Sequence, residues 1–172
     1  MFSDPAKNVR ALGLNPTAVV VDLGAGTGFY AVAAGHLVPH GKVYAVEVQK
    51  DYLEKIRHKA KEAKLRNIEA IWGNIEKVGG TKLRDAAADA AIVSNVLFQV
   101  EDKEKFLEEL RRILKPGGKV LLIDWSSPIH GGRVEHIVPK AKARAMFEEK
   151  GFALERELDA GSHHYGMILV KR

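Results

Sequence analysis

The chain has 172 residues, 46% apolar and 28% charged, values that suit a globular domain and exclude fibrous or disordered structure. Its net charge of +5 permits an anionic partner without demanding one, because basic and acidic residues are mixed rather than blocked. With no cysteine, disulfides, thiolate nucleophiles and thiolate zinc sites are excluded.

Met1 to Arg10 hold Asp4, Lys7 and Arg10 and no apolar core, which does not fit a secretory signal. The longest uncharged stretch, Leu23 to Gly41, contains five glycines, a proline and two histidines, too interrupted for a bilayer span. The expectation is one domain over residues 1–172, soluble and cytoplasmic.

Ala18–Asp22 is a short β-branched run that ends in the glycine cluster Gly24-Ala25-Gly26-Thr27-Gly28. An alanine-rich run predicts a helix to Leu37, and Lys42–Glu47 predicts a second strand. Asp51, with Glu54 three residues on, has capping-box spacing and predicts a helix start; Leu53, Ile56, Ala60 and Ala63 then recur at helical intervals. Asn67–Trp72 predicts a third strand, Ile75–Arg84 a helix or loop, and Asp89–Ser94 a fourth strand. Asp102 predicts the cap of a helix with the apolar stripe Phe106, Leu107, Leu110, Ile113 and Leu114, stopped by Lys115-Pro116-Gly117-Gly118. Lys119–Asp124 is a fifth strand. A polar, irregular segment covers Ser126–Val138, and a charged helix spans roughly Pro139–Lys150. Phe152–Leu158 and Tyr165–Lys171 are two final strands with a short connection.

Strands alternating with helices predict a mostly parallel α/β sheet of about seven strands. The last two strands lack room for a helical crossover, so they pair antiparallel. Ligands on such sheets bind beyond the strands' carboxyl ends, where strand order reverses. Gly24–Gly28, Glu47–Gln49, Gly73–Ile75, Ser94–Phe98 and Asp124–Ser126 therefore share one edge.

The glycine loop allows close backbone approach to an adenosine-bearing cofactor. Its glycines run G-x-G-x-G, not the G-x-G-x-x-G of dinucleotide sites. Glu47, 19 residues after Gly28, can accept both ribose hydroxyls and would repel a 2′-phosphate. The alternative is a structural turn beside an exposed glutamate.

Val20-Val-Asp22-Leu-Gly24-Ala-Gly26-Thr-Gly28, Val43-Tyr-Ala-Val-Glu47, Trp72-Gly-Asn74, Asp89-Ala-Ala-Ile-Val-Ser-Asn95 and Leu114-Lys-Pro116-Gly-Gly118 together resemble the class I S-adenosylmethionine-dependent methyltransferases. The resemblance implies a Rossmann-like, doubly wound, seven-stranded sheet with an antiparallel last strand, and S-adenosyl-L-methionine as cofactor. It implies that Asp22 and the backbone of Gly24, Ala25, Gly26 and Gly28 lie by the methionyl part. Glu47 would hold the ribose, with Val48 and Gln49 beside it. Gly73, Asn74 and Ile75 would line the adenine, and Asn95 and Val96 the neighbouring wall. Tyr30 is a further cofactor candidate because it follows the glycine loop. The family often has an acidic residue where Asn74 stands; asparagine keeps an acceptor for the adenine amino group. Ser94-Asn95-Val96-Leu97-Phe98 lacks the Asp/Asn-Pro-Pro-aromatic run of enzymes that methylate exocyclic amines in nucleic acids, which argues against DNA.

Methyl transfer requires alignment and exclusion of water, and a general base only if the nucleophile arrives protonated. His163 and His164, before the last strand, are candidate bases or positioning groups, or else part of a surface turn. Asp124 either orients an acceptor or caps its strand. Trp125 either walls a substrate or packs. Asn95, Phe98 and Tyr165 are further substrate-side candidates. No metal site is expected, since adjacent histidines on a strand do not direct both rings to one ion. Lys50, Lys55, Arg57, Lys59, Lys61, Lys64 and Arg66 form a charged helix face. A small-molecule acceptor is favoured, with a protein or RNA group as the alternative. A small nicotinamide-dependent reductase and a non-enzymatic adenosine-cofactor or RNA-interaction protein are the rival readings.

Overall fold

β-Branched runs become strands, and the amphipathic runs between them become helices. The computed structural model describes residues 3–127 and 136–172. In chain order the elements are α1 (Pro5–Arg10), β1 (Val19–Leu23), α2 (Phe29–Leu37), β2 (Lys42–Glu47), α3 (Lys50–Glu62), β3 (Ile68–Trp72), β4 (Ala88–Ser94), α4 (Lys103–Ile113), β5 (Leu114–Trp125), α5 (Lys140–Glu149), β6 (Phe152–Leu158) and β7 (His164–Lys171). The strands form one sheet in the order β3-β2-β1-β4-β5-β7-β6. The first five are parallel to one another, and β7 runs antiparallel to both β5 and β6. This is the expected Rossmann-like doubly wound sheet. Strand order reverses between β1 and β4, which places the ligand edge at Leu23 and Ser94.

Alternation along each strand feeds two cores. Val21, Leu23, Val93, Val120 and Leu122 pack towards α4 and α5, against Phe106, Leu110 and Phe147. Val20, Ile92, Leu121, Ile123 and Ile168 pack on the other face, against Val9, Ala31, Ala34 and Ile56. Phe147 is thus a core residue, as its helical position suggested.

Three local expectations change. Asp51 lies inside the first turn of α3, whose N-cap is Gln49 without a side-chain cap bond. An acid in that turn still favours the helix electrostatically. Residues 75–84 form turns, the loop side of the stated alternative. β5 begins at Leu114, because Leu114 pairs with Ala88 before the register shifts to Ala90 and Lys119. The short α1 was not foreseen, although Asp4-Pro5 is a start signal: Asp4 accepts from the Lys7 N–H, and Pro5 occupies the first turn. Asp102 does cap α4, accepting from the Lys105 N–H at 3.0 Å.

Candidate functional site

The strand tips build two openings that meet. A cleft of about 240 Å³ is lined by Gly24, Gly26, Glu47, Gly73, Ile75 and Val96, among others. A second cavity, about 630 Å³, is lined by residues including Tyr30, Ser94, Asn95, Trp125 and His164. Gly24, Gly26 and Gln99 border both.

Glycine is required at two points of the loop. Gly24 has φ +70°, and a Cβ there would stand 2.9 Å from Val96 Cγ2; Gly28 has φ +88°, and its Cβ would stand 3.3 Å from the Ile56 backbone. Both positions combine left-handed backbone with close packing. Gly26 differs: a Cβ there would meet nothing within 4 Å, because it faces open cleft.

Glu47 is buried at the tip of β2. Its Oε1 accepts from the Val48 and Gln49 N–H groups, and Oε2 accepts from the Gly26 N–H, all at 2.9 Å. Three backbone donors aim the carboxylate and leave one acceptor position on Oε2. Val48 and Gln49 line the same cleft. Asp22, one strand away, is buried, and its Oδ2 has no partner among the described residues. Burial pushes its carboxyl up to about 7; a bond from the Ala31 N–H opposes this, and the Glu47 charge adds to it.

The far wall is pinned from outside. Gly73 and Ile75 line the cleft, and the Asn74 N–H donates to the Gly80 carbonyl. Asn74 Oδ1 accepts from the Glu76 N–H at 2.8 Å. One of the two acceptor positions on the oxygen expected to meet the adenine amino group is therefore engaged in its own turn, and the other remains. Behind this loop, Glu109 of α4 is fully buried. It accepts from the Gly79 and Thr81 N–H groups, the Thr81 hydroxyl and the Arg112 guanidinium. Although burial opposes ionisation, the bonds from Arg112, Thr81 and the backbone hold its carboxyl down at about 2. Sequence reasoning missed this clamp. Its signal was an acid within the apolar stripe of α4, at helical spacing from Phe106 and Ile113.

Asp124 does not reach either opening. It is fully buried, with Oδ2 accepting from the Val96 (3.1 Å) and Leu97 (2.8 Å) N–H groups and Oδ1 from the Trp125 N–H (2.8 Å). Burial raises its carboxyl, and these N–H groups counteract the rise. Its geometry is that of a loop anchor, the structural side of the alternative. Asn95 sits at φ +56°, a conformation asparagine tolerates. Its Oδ1 and the Ser94 hydroxyl are buried without partners among the described residues.

His164 opens β7 opposite Trp125. The two rings stack with centroids 4.1 Å apart. His164 is 8% exposed, and neither ring nitrogen has a partner among the described residues. Burial, with the neighbouring His163, lowers its pKa and keeps the imidazole neutral. His163 is exposed, lines neither opening, and has its Nδ1 3.4 Å from the Ser127 hydroxyl. Tyr165 points to the opposite face, into the α4–α5 core, where its hydroxyl donates to the Val138 carbonyl at 3.0 Å. Burial pushes its phenol up, and the Asp124 charge adds to the effect. Tyr165 is thereby removed from the acceptor side, because adjacent strand residues face opposite ways. Phe98 is half-buried and borders neither opening; its neighbour Gln99 borders both.

Tyr30 lines the cavity and is held from α1: its hydroxyl bonds the Ser3 hydroxyl and accepts from Asn8 Nδ2. Ser3 and Pro5 also border the cavity, so α1 covers it. Thr27 and Ser94 lie in the segments placed on the ligand edge from sequence but were given no role there, and the liner Phe29 was not singled out, although its place just after the glycine loop was a signal. Most of the 126–138 segment, including His130, lies outside the described residues; His136 is exposed. Among the described residues no group of three or more His, Asp or Glu is placed to hold a metal ion, and no helix is long and apolar enough to cross a membrane.

A glycine loop after β1, a carboxylate at the tip of β2 and a cavity beyond β4, all on a sheet ending in an antiparallel strand, are the arrangement of class I S-adenosylmethionine-dependent methyltransferases. The residues fit that cofactor: Gly26 faces open space, Glu47 is aimed into the cleft, and the Asp22 oxygen is unpaired. Comparison with known proteins agrees. Residues 14–162 match the family described as "Methyltransferase domain". A ubiquinone/menaquinone biosynthesis C-methyltransferase of Klebsiella pneumoniae is 34% identical over 140 residues, covering 74% of this chain and 53% of that protein. A demethylmenaquinone methyltransferase of Bacillus mycoides is 28% identical over 123 residues, covering 71% of this chain and 51% of that protein. The crystal structure of a SAM-dependent methyltransferase from Aquifex aeolicus superposes with a TM-score of 0.89 at 27% identity, covering 99% of this chain and 91% of the other. The chain belongs to the methyltransferase domain family, and S-adenosyl-L-methionine is its cofactor. It spans about half the length of the curated relatives it matches.

Proposed function

We propose that the chain transfers a methyl group from S-adenosylmethionine to an uncharged small-molecule acceptor in the cavity between Tyr30, Trp125 and His164, acting as one unit over residues 1–172 in the cytoplasm. The carrying observation is His164: a buried imidazole bordering that cavity, its pKa lowered by burial and its two ring nitrogens without partners among the described residues. Among the described residues, no ionisable group other than His164 and the Tyr30 phenol lines the cavity, which favours an uncharged acceptor. Phe29, Tyr30 and Trp125 suit a flat, apolar body.

When bound, the cofactor supplies an electrophilic methyl group on a sulfonium. The chain's own work is placement. Glu47 Oε2 receives a ribose hydroxyl, and the unpaired Asp22 oxygen faces the donor's amino-acid end. Asp124 fixes the Val96–Leu97 backbone that walls the cofactor, and Asn95 and Ser94 position polar atoms of the acceptor. His164 accepts the proton released as the acceptor is methylated, a role a neutral imidazole can fill and an imidazolium cannot. The relatives' names describe C-methylation in quinone biosynthesis. An aromatic ring carbon losing its proton on methylation fits this arrangement.

His164→Gln should retain S-adenosylhomocysteine binding in calorimetry and lower turnover of a phenolic acceptor by about a hundredfold, the usual scale of general-base catalysis. Unchanged turnover with intact cofactor binding would return His164 to a packing role. A nicotinamide reductase lacks support, since the loop spacing is G-x-G-x-G. A non-enzymatic binder is disfavoured by the open cavity beside the cofactor cleft.

A further inference from the structure

Only four large apolar side chains are well exposed among the described residues: Phe29, Val48, Trp72 and Val78. Phe29, Val48 and Trp72 lie at the carboxyl edge of the sheet, and Val78 lies in the turns that follow β3. Val48 borders the cleft and Phe29 the cavity. Trp72 is tied to Val48, its indole N–H donating to the Val48 carbonyl at 3.0 Å.

Lysines surround these side chains in an unusual state. Lys50 and Lys82 lie over the Trp72 ring, at 4.6 and 5.0 Å, and Lys59 lies over Phe29 at 4.0 Å. Lys55 lies over Tyr52 at 4.9 Å. None of the four makes an ion pair among the described residues. Towards β5 and β6 the behaviour is ordinary: Lys115, Lys119 and Lys140 each pair with a carboxylate at 2.7, 3.1 and 2.8 Å. Residues 50–66 carry seven basic side chains against three acidic. Arg57 and His58 of the same segment do meet carboxylates, Glu54 and Glu62, so it is the lysines beside the rings that lack ionic partners among the described residues, where apolar side chains project.

We propose that this edge docks the protein on an anionic lipid surface, with Trp72, Val48, Val78 and Phe29 entering the headgroup boundary and the lysines meeting lipid phosphates. Tryptophan and phenylalanine suit that boundary, and long lysine stems reach from it to charged headgroups. Apolar side chains projecting from a strand end, a helix start and two turns fit a fluid surface, which needs no matching groove. A nucleic acid would need bases stacked on the rings the ammonium groups cover. Docking turns the cleft and cavity mouths towards the lipid, where an uncharged apolar acceptor concentrates. That consequence rests on the acceptor reading above; the docking itself does not.

Co-sedimentation with vesicles tests it without substrate. The chain should bind vesicles of phosphatidylcholine with one-third phosphatidylglycerol, release at high ionic strength, and bind phosphatidylcholine alone weakly. Trp72 emission should shift to the blue on binding, and Trp72→Phe should abolish the shift. Lys55→Gln/Lys59→Gln/Lys82→Gln should weaken partitioning roughly a hundredfold, about fivefold per lysine near an anionic surface. Val78→Asp should weaken it as well. Both variants should bind S-adenosylhomocysteine normally, which shows that they are folded. Absence of binding to the anionic vesicles, equal binding to neutral ones, or an unaffected triple variant would overturn the proposal. So would binding of a single-stranded oligouridylate in place of vesicles, which would reassign the surface to nucleic acid. Lost turnover in His164→Gln with intact vesicle binding would separate the two readings.

Discussion

Replacing Glu109 by glutamine keeps the side chain's shape and removes its charge. The carboxylate now accepts from two backbone N–H groups, one hydroxyl and the Arg112 guanidinium. Glutamine has one acceptor oxygen, so its amide N–H₂ must face donors, and Arg112 keeps only Asp85 as an ionic partner. The carboxyl stands at about 2 against an ordinary 4.5. That difference corresponds to roughly 3 kcal/mol of folding stability, which agrees with the ~3–5 kcal/mol cost of breaking a buried ion pair. At a urea slope of ~2 kcal/mol/M, the midpoint of Glu109→Gln should fall by about 1.5 M at neutral pH. The sign with pH follows from the depressed value. The contribution is complete above about 4.5 and is lost as pH falls through about 2, so wild type and variant converge in acid. Because the clamp holds Gly79–Thr81, and Gly80 holds Asn74, affinity for S-adenosylhomocysteine should fall too. Circular dichroism across urea at neutral and acid pH, with calorimetry of ligand binding, reads both effects. A midpoint within 0.3 M of wild type, on the ~2 kcal/mol/M slope, would refute the reasoning.

Asp22 carries the opposite sign: its native pKa is raised from 3.8 to about 7, so stability falls as pH rises between those values, and Asp22→Asn should remove that slope in urea titrations. An unchanged slope would count against burial as the cause. Gly28→Ala should cost roughly 1–2 kcal/mol for its left-handed backbone alone and more for the contact with Ile56, lowering Tm by about 5 °C in calorimetry; an unchanged Tm would show that α3 yields freely. Tyr165→Phe should lose ~1 kcal/mol by removing the bond to Val138 while leaving turnover untouched, and a drop in kcat without destabilisation would restore Tyr165 to the acceptor side.

Strand tips were legible in the sequence because buried parallel strands read as continuous apolar runs and glycine loops punctuate them. The edge holding Gly24, Glu47, Gly73 and Asn95 followed from that alone. What a side chain faces was less legible. His163, His164 and Tyr165 formed one motif, yet only the pairing of β7 with β5 sets His164 beside Trp125 and Tyr165 beside Asp124. Asp124 was identified as a strand-tip acid, but its partners are backbone N–H groups at Val96 and Leu97, which no side-chain pattern announces. Asn74 shows a third limit: residue type gave the acceptor, while the Asx turn to Glu76, which takes one of its two acceptor positions, depends on local backbone geometry. The cover supplied by α1 depends on the contact of Asn8 with Tyr30, 22 positions apart and invisible to local periodicity.

Among the described residues, the cleft and the cavity share Gly24, Gly26 and Gln99 as their common border. A donor laid across that border becomes part of the acceptor's floor, so traffic acquires a sequence: donor enters first and its spent form departs last. Compounds that occupy the acceptor chamber would then trap the loaded enzyme, showing uncompetitive inhibition with respect to the donor.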